Sequence, residues 1–268
     1  MTPSTPRIAA LFMAGTMAAS TASAIDPATL VCMGTRAAGA PVVILEAGAG
    51  NGVESWAKVQ PAIAEFAHVC AYDRPGLRHH WTNGEPPAPP TPDAVVETLD
   101  AALAKAGERP PYVLVGHSYG GMIVRLFATR FPDRVKAVVL IDSTHEDQMR
   151  RFGEPAPPLP RPGSSGVVIV MPEMYDPVAM SEALKARPWR TSVPVLVLTR
   201  GNAGAPNPAT PPDAAAMARY EIWLELQREL ATRSPHAEHI TAKQSGHDIP
   251  NDEPQLVIEG IRRLVADP

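Results

Sequence analysis

Short apolar runs alternate with stretches of helical periodicity along most of the chain. Seven of these runs have the length of strands, and most are rich in Val, Ile and Leu without alternating polar positions. Strands of that composition are buried on both faces, as in a parallel sheet covered by helices. The predicted strands span residues 29–33, 42–46, 69–72, 112–117, 135–142, 193–199 and 239–242.

Helical patterns fill the intervals between these strands. A Thr-Pro-Asp start opens one helix that runs from 91 to about 106, and the others are predicted at 119–130, 215–234 and 254–266. The alternation predicts an α/β fold with a mostly parallel central sheet and helices on both faces. Residues 25–268 are expected to form a single domain.

The interval 143–192 interrupts this rhythm. It holds a Pro-rich loop, an apolar segment at 167–171 and a short helical piece near 177–186. An insertion late in an α/β sheet predicts a short cap or lid over the mouth of a site. A plain surface loop is the alternative.

Residues 1–24 have the three regions of a bacterial secretory signal peptide. Arg7 is the only charge, an apolar stretch follows, and Ala22-Ser23-Ala24 has the pattern of a cleavage site. The apolar stretch is shorter than the roughly 20 residues that a membrane-spanning helix needs. We therefore expect a secreted or periplasmic protein without stable membrane insertion, with an N-terminal core helix as the alternative reading.

Composition narrows the range of partners. The formal net charge is −4 and no Lys/Arg stripe is present, so no nucleic-acid partner is expected. The sequence carries no P-loop, no dinucleotide fingerprint and no metal-ligand motif, and we predict neither cofactor nor metal. The two cysteines, Cys32 and Cys70, are either a disulfide in an exported chain or two buried thiols.

The sharpest chemical signal is the segment Gly-His-Ser-Tyr-Gly-Gly at 116–121. It follows a predicted strand and precedes a predicted helix, which is the context that a G-x-S-x-G nucleophile elbow requires. Ser118 is therefore the candidate nucleophile. The amino end of the following helix favours negative charge developing at the site.

A serine hydroxyl needs a neighbouring base to act as a nucleophile at neutral pH. His247 follows the last strand and precedes the final helix, which suits the chain order Ser, acid, His. The chain has eight histidines, and four others are read as solvated loop residues: His79, His80, His145 and His236.

The acid that orients this base has two main candidates. Asp142 ends the strand after the elbow strand and is favoured, whereas Asp213, in a Pro-rich loop, is the first carboxylate after the next strand. Glu146 and Asp147 are minor contenders.

The oxyanion formed during acyl transfer needs two backbone donors. One is predicted to be the N–H of Tyr119, the residue after the nucleophile. The other is assigned to the Gly-rich loop after the second strand, at Ala49 with Gly48 or Gly50 as alternatives.

Together these segments resemble the α/β-hydrolase superfamily, and in particular a bacterial branch of esterase-like hydrolases. The resemblance rests on the Leu-Glu-Ala-Gly-Ala-Gly, Tyr-Asp-Arg-Pro-Gly and Ser-Gly-His segments at 45–50, 72–76 and 245–247, on the elbow, and on residues 140–148. It implies an α/β-hydrolase fold and supports Asp142 as the acid. The usual strand order of that superfamily would also bring Cys32 and Cys70 onto neighbouring strands, which favours a disulfide.

The function expected is hydrolysis of small-molecule esters through an acyl-enzyme on Ser118. Amide, lactone or thioester hydrolysis and acyl transfer are alternatives on the same fold. A non-catalytic binding protein that retained the fold is a third reading, but it predicts a broken elbow or a missing base, and both are intact here.

Overall fold

The computed structural model describes residues 28–77, 88–153, 175–203 and 213–266. Within these residues, seven strands form one sheet in the order β1-β3-β2-β4-β5-β6-β7, in which β1 is antiparallel to β3 and the other neighbours are parallel. This confirms the predicted fold class. The strands are β1 Leu30–Met33, β2 Val42–Glu46, β3 His68–Tyr72, β4 Tyr112–His117, β5 Val135–Ile141, β6 Val195–Arg200 and β7 Ala237–Ala242.

Helices cover both faces of this sheet. The α-helices of the described residues are α1 Gln60–Ala64, α2 Pro92–Lys105, α3 Tyr119–Arg130, α4 Gln148–Phe152, α5 Pro177–Ala186, α6 Ala214–Ala231, α7 Ile249–Asp252 and α8 Pro254–Ala266. Two 3-10 turns lie at Val53–Trp56 and Pro132–Arg134. Helices α1, α4 and α7 were not predicted, since four or five residues are too few to show a helical period.

The central strands divide their side chains between two apolar clusters. In β2, Ile44 packs into the cluster under α2 and α3, while Val43 and Leu45 pack into the cluster under α1 and α8. Successive side chains of a strand point to opposite faces, so a strand buried on both sides must be apolar throughout. This is why the strand sequences lack alternation.

Helix α2 shows how local sequence sets an element. Thr91 caps it by accepting a hydrogen bond from the N–H of Ala94 at 3.2 Å, and Pro92 occupies the first turn, where no N–H is needed. Its buried face is the apolar stripe expected from the sequence: Val95, Val96, Leu99, Ala102 and Leu103.

The edge strand β1 is tied covalently to its neighbour. Cys32 lies opposite Cys70 in the antiparallel register, and the two are joined by a disulfide bond. A strand of four residues with one partner has few hydrogen bonds of its own, so the disulfide adds a constraint where the sheet is weakest.

Several predicted features lie wholly or partly outside the described residues. They are the signal segment at 1–24, the Pro-rich part and the apolar segment 167–171 of the interval 143–192, and the histidines His79 and His80. Of the predicted cap, α4, α5 and their flanking residues are described, and the ring of Tyr175 packs 4.8 Å from that of Tyr119. No helix in the described part of the chain is long and apolar enough to cross a membrane.

Candidate active site

Ser118 occupies the sharp turn between β4 and α3. Its backbone has φ 53° and ψ −120°, a conformation that costs a non-glycine residue energy and persists only where its surroundings hold it. Here the Ser118 N–H donates to the Ile141 carbonyl at 3.0 Å, and its carbonyl accepts from Gly121 at 3.0 Å and Thr144 at 3.1 Å. The turn is therefore pinned from the neighbouring strand end and from its own helix.

The flanking glycines are required by close packing. A Cβ on Gly116 would lie 2.6 Å from the Gly120 carbonyl oxygen and from Gly121 Cα. A Cβ on Gly120 would lie 2.6 Å from the carbonyl oxygen of Ala47. Any larger residue at either position would push the elbow away from β2 and from the start of α3.

The three candidate triad residues meet at the carboxyl edge of the sheet. His247 lies in the loop between β7 and α7, with Nε2 3.0 Å from Ser118 Oγ and Nδ1 2.5 Å from Asp142 Oδ2. Since the carboxylate accepts from Nδ1–H, Nε2 carries the lone pair that faces the serine hydroxyl. The His247 side chain is 46% exposed, so a substrate can reach it, whereas Asp142 is fully buried.

Asp142 is held by more than the histidine. Strand β5 ends at Ile141, one residue earlier than predicted, because Asp142 turns to a φ of 42°. Oδ1 accepts from Trp223 Nε1 at 2.8 Å and from the Arg200 backbone N–H at 3.1 Å, and Oδ2 also accepts from Arg200 Nη1 at 3.0 Å. The guanidinium of Arg200 in turn lies 4.5 Å from the ring of Trp223.

Sequence reasoning missed Arg200 and Trp223. Arg200 is the last residue of β6, and at this strand end, where the sequence offers no carboxylate for His247, it supplies a cation that contacts buried Asp142. Trp223 is 81 residues from Asp142 in sequence, so no local pattern points to the contact.

The alternative acids are engaged elsewhere. Asp213 caps α6 by accepting from the N–H of Ala216 at 2.7 Å. Glu146 pairs with Arg125 at 2.6 Å and with Arg233 at 2.7 Å. Burial alone raises the pKa of Glu146, but neighbouring groups, the Arg125 guanidinium among them, lower it to about 2. Of the four carboxylates considered, the structure brings Asp142 to His247.

A second histidine lies against the first. Nε2–H of His117 donates to the backbone carbonyl of His247 at 2.8 Å, and the two rings are 4.8 Å apart. Burial, and to a smaller extent the neighbouring His247, lowers the pKa of His117 to about 4, so it is neutral at physiological pH. The reading of His145 as a solvated loop residue was wrong: it is 1% exposed, and burial lowers its pKa to about 4.

The Gly-rich loop after β2 lies beside the nucleophile. A Cβ on Gly48 would be 3.3 Å from Ser118 Cβ. Arg74 holds the far side of this loop, with Nη1 donating to the Ala47 carbonyl at 2.8 Å and Nη2 to the Gly48 carbonyl at 2.7 Å. In a trans peptide the C=O and the following N–H point in opposite directions, so the N–H of Ala49 points away from Arg74.

Arg74 is itself fixed by a buried acid. Its Nη1 lies 2.5 Å from Oε1 of Glu46, and the two side chains are 5% and 1% exposed. Glu46 Oε2 accepts a second hydrogen bond from Tyr72 O–H at 2.6 Å. Arg74, in the Tyr-Asp-Arg-Pro-Gly segment, therefore holds the loop that lies beside the nucleophile. The sequence did not indicate this role.

The site combines a strand–serine–helix elbow, a histidine after the last strand and an acid at the end of β5. This combination is typical of the α/β-hydrolase class of fold. The family comparison agrees, since residues 40–159 match the family described as alpha/beta hydrolase fold. Residues 40–159 thus match the α/β-hydrolase family, and the described residues have the α/β-hydrolase fold.

Individual relatives are similar over most of their length. The uncharacterized protein YqjL of Bacillus subtilis (strain 168) is 26% identical over 215 residues, which cover 80% of this chain and 79% of that protein. An AB hydrolase superfamily protein of Gibberella zeae is 26% identical over 84% of this chain and 86% of its own. Among solved structures, a thermophilic esterase from Thermogutta terrifontis has a TM-score of 0.59 at 21% identity, covering 90% of this chain and 94% of its own.

Proposed function

We propose that the protein is a serine hydrolase that cleaves small-molecule carboxylic esters through an acyl-enzyme on Ser118. The observation that carries this proposal is the continuous contact from the Ser118 hydroxyl through His247 to buried Asp142, with distances of 3.0 and 2.5 Å. The likeness to a thermophilic esterase supports esters as the substrate class.

The first half of the reaction forms the acyl-enzyme. His247 Nε2 takes the hydroxyl proton as Ser118 Oγ attacks the ester carbonyl, and the imidazolium then protonates the departing alcohol oxygen. Asp142 stabilises that imidazolium through Nδ1–H. Its remaining hydrogen bonds, from Arg200 and Trp223, keep the carboxylate in place during the charge change.

The second half releases the acid. A water molecule gives its proton to His247 and attacks the acyl carbonyl, and the same proton returns to Ser118 Oγ when the ester bond to the serine breaks. In both halves, negative charge collects on the carbonyl oxygen. We assign its stabilisation to the backbone N–H groups of Tyr119, at the amino end of α3, and Ala49, which points away from Arg74.

Amides, lactones and thioesters would react through the same acyl-enzyme, and an alcohol in place of water would give acyl transfer. The choice among them depends on the pocket beside Ser118, part of which we assign to the predicted cap at 143–192. The contact between Tyr175, which lies in that interval, and Tyr119 supports this assignment.

Export is part of the proposal. The three-region pattern at 1–24 and the disulfide between Cys32 and Cys70 both suit an oxidising compartment outside the cytoplasm. N-terminal sequencing of protein recovered from the periplasm or medium of a bacterial host should begin at Ile25. A chain that stays in the cytoplasm with Met1 intact would contradict this part.

Turnover of short p-nitrophenyl esters tests the activity. Wild type should hydrolyse them with an initial burst of p-nitrophenol when deacylation is slow, and Ser118→Ala should reduce turnover to background. Thr35→Ala, at an exposed position after β1 and outside the predicted cap, is the matched control and should behave as wild type. Equal activity of Ser118→Ala and wild type would refute the proposal.

A further inference from the structure

Four side chains of types that bind transition metals converge at the β1 edge of the sheet, away from the candidate active site. Cys32 lies on β1, His68 and Cys70 on β3, and Glu108 follows α2. One ligand atom from each lies within 4.8 Å of all the others. His68 begins β3, whereas the candidate catalytic residues lie at the carboxyl ends of the strands.

The orientation of His68 suits a metal ligand. Its Nδ1 lies 3.2 Å from the carbonyl oxygen of Gly34, which is an acceptor only, so Nδ1 carries a proton and donates. A backbone carbonyl on the far ring nitrogen is the usual partner of a metal-binding histidine, because it fixes the tautomer that leaves the other nitrogen free. Here that other nitrogen, Nε2, points into the cluster.

A cation between His68 Nε2 and the Glu108 carboxylate would bind to both side chains. Nε2 lies 2.8 Å from Glu108 Oε1, and in neutral imidazole both atoms would be acceptors. A metal ion satisfies the same two atoms and, in addition, any thiolate within reach.

The two sulfurs are already near the required spacing from the other ligands. Cys70 Sγ lies 3.7 Å from His68 Nε2, and Glu108 Oε1 is 3.9 Å from both Cys32 Sγ and Cys70 Sγ. Zinc–sulfur bonds of about 2.3 Å in a tetrahedron place ligand atoms about 3.8 Å apart. What prevents binding is the disulfide, since bonded sulfurs carry no thiolate charge.

We propose that reduction of the Cys32–Cys70 disulfide converts this edge of the sheet into a Zn²⁺ site formed by both thiolates, His68 Nε2 and the Glu108 carboxylate. A dithiol reductant supplies two electrons and two protons, becomes a disulfide itself, and leaves two protein thiols. Zinc then displaces the two thiol protons, and the thiolates, His68 Nε2 and the Glu108 carboxylate bind it. Two thiolates, an imidazole and a carboxylate are a set of ligands that zinc binds tetrahedrally.

The disulfide and the zinc ion are therefore alternative ties between β1 and β3. In an oxidising environment the covalent bond holds the edge strand, and in a reducing environment the metal holds it through the same two cysteines. A small-molecule disulfide would accept two electrons from the two thiolates and become two thiols, which returns the protein disulfide and releases the ion, so metal content reports redox conditions.

Cobalt provides a direct probe. The purified protein is reduced with dithiothreitol, freed of reductant without air, and titrated with CoCl₂. Reduced wild type should show thiolate-to-cobalt charge-transfer absorption and the strong visible bands of tetrahedral cobalt, saturating at one ion per chain and disappearing when Zn²⁺ is added. The oxidised protein should show neither.

Variants locate the site. His68→Ala and Glu108→Gln should each weaken cobalt binding by about tenfold or more, while Cys32→Ser/Cys70→Ser should abolish the charge-transfer band. His236→Ala and Glu65→Gln, outside the cluster, are matched controls and should bind as wild type.

Folding is followed by circular dichroism at each step. If the reduced metal-free chain loses structure, Zn²⁺ should restore it and raise its Tm, with no such effect on the oxidised protein. The proposal is overturned if reduced wild type gives no thiolate band with excess cobalt, or if His68→Ala and Glu108→Gln both bind like wild type. Failure of zinc to refold an unfolded reduced chain would overturn it as well.

Discussion

Removing the buried guanidinium of Arg74 should lower the stability of the protein, through the contact with Glu46, and its kcat, through the contacts with the Ala47 and Gly48 carbonyls. Arg74→Met deletes the guanidinium that pairs with Glu46 at 2.5 Å and leaves a carboxylate only 1% exposed, with Tyr72 among its remaining donors. Breaking one partner of a buried pair costs about 3–5 kcal/mol. The free energy of unfolding, measured in urea, should fall by that amount.

A double variant separates stability from activity. Glu46→Gln alone removes the carboxylate charge that faces the Arg74 guanidinium and should cost a similar amount. Glu46→Gln/Arg74→Met leaves no unpaired charge, and the new amide oxygen can still accept from Tyr72, so the double variant should be more stable than the sum of the single effects predicts. Its kcat should nevertheless be about 10²–10³-fold below that of wild type, which is the scale of one lost oxyanion donor. The reason is that the Ala47 and Gly48 carbonyls no longer accept hydrogen bonds from Arg74.

Two results would refute this reasoning. Single variants that unfold at the wild-type urea concentration would mean that the pair contributes nothing to stability. A double variant with wild-type kcat would mean that the loop holds its catalytic geometry without Arg74. The conservative Arg74→Lys keeps the charge but loses the planar set of guanidinium donors. Its free energy of unfolding and its kcat should therefore lie between those of wild type and those of Arg74→Met.

Three other predictions follow from the contacts described. Asp142→Asn should lower ester turnover by about 10⁴ while Ser118 remains chemically intact, as steady-state kinetics will show. Between pH 6.5 and about 4, His117 and His145 bind protons in the unfolded chain but not in the folded chain, because burial lowers the pKa of each to about 4. The free energy of unfolding should therefore fall on acidification by about 1.4 kcal/mol per pH unit for each histidine. A free energy of unfolding that does not change over this pH range would contradict the prediction. Cys32→Ser/Cys70→Ser opens a loop of 38 residues and should cost about 4 kcal/mol in metal-free urea unfolding, with an unchanged midpoint as the contrary result.

The fold could be predicted from the sequence because the patterns that indicate its strands, helices and elbow are local. The buried strands are apolar on both faces, and the capped start of α2 and the elbow at 116–121 each carry their own pattern. Boundaries differ where tertiary contacts decide them: β5 ends at Ile141 because Asp142 turns toward His247.

The proximity of the three candidate triad residues could also be predicted, since their chain order and their positions at the strand ends follow from the fold. The residues that support it were not. Arg200 and Trp223 reach Asp142, and Arg74 reaches the loop before Ala49, through contacts between segments distant in sequence. Such contacts depend on how the elements pack, and no spacing along the chain encodes them.

The central claim is that Ser118 is a nucleophile activated by His247. The most direct test is treatment of the purified protein with a fluorophosphonate probe, followed by intact and peptide mass spectrometry. The account predicts a single adduct on Ser118 in wild type, none in Ser118→Ala, and much slower labelling in His247→Ala. No adduct on folded wild type, or an adduct on another residue, would contradict it.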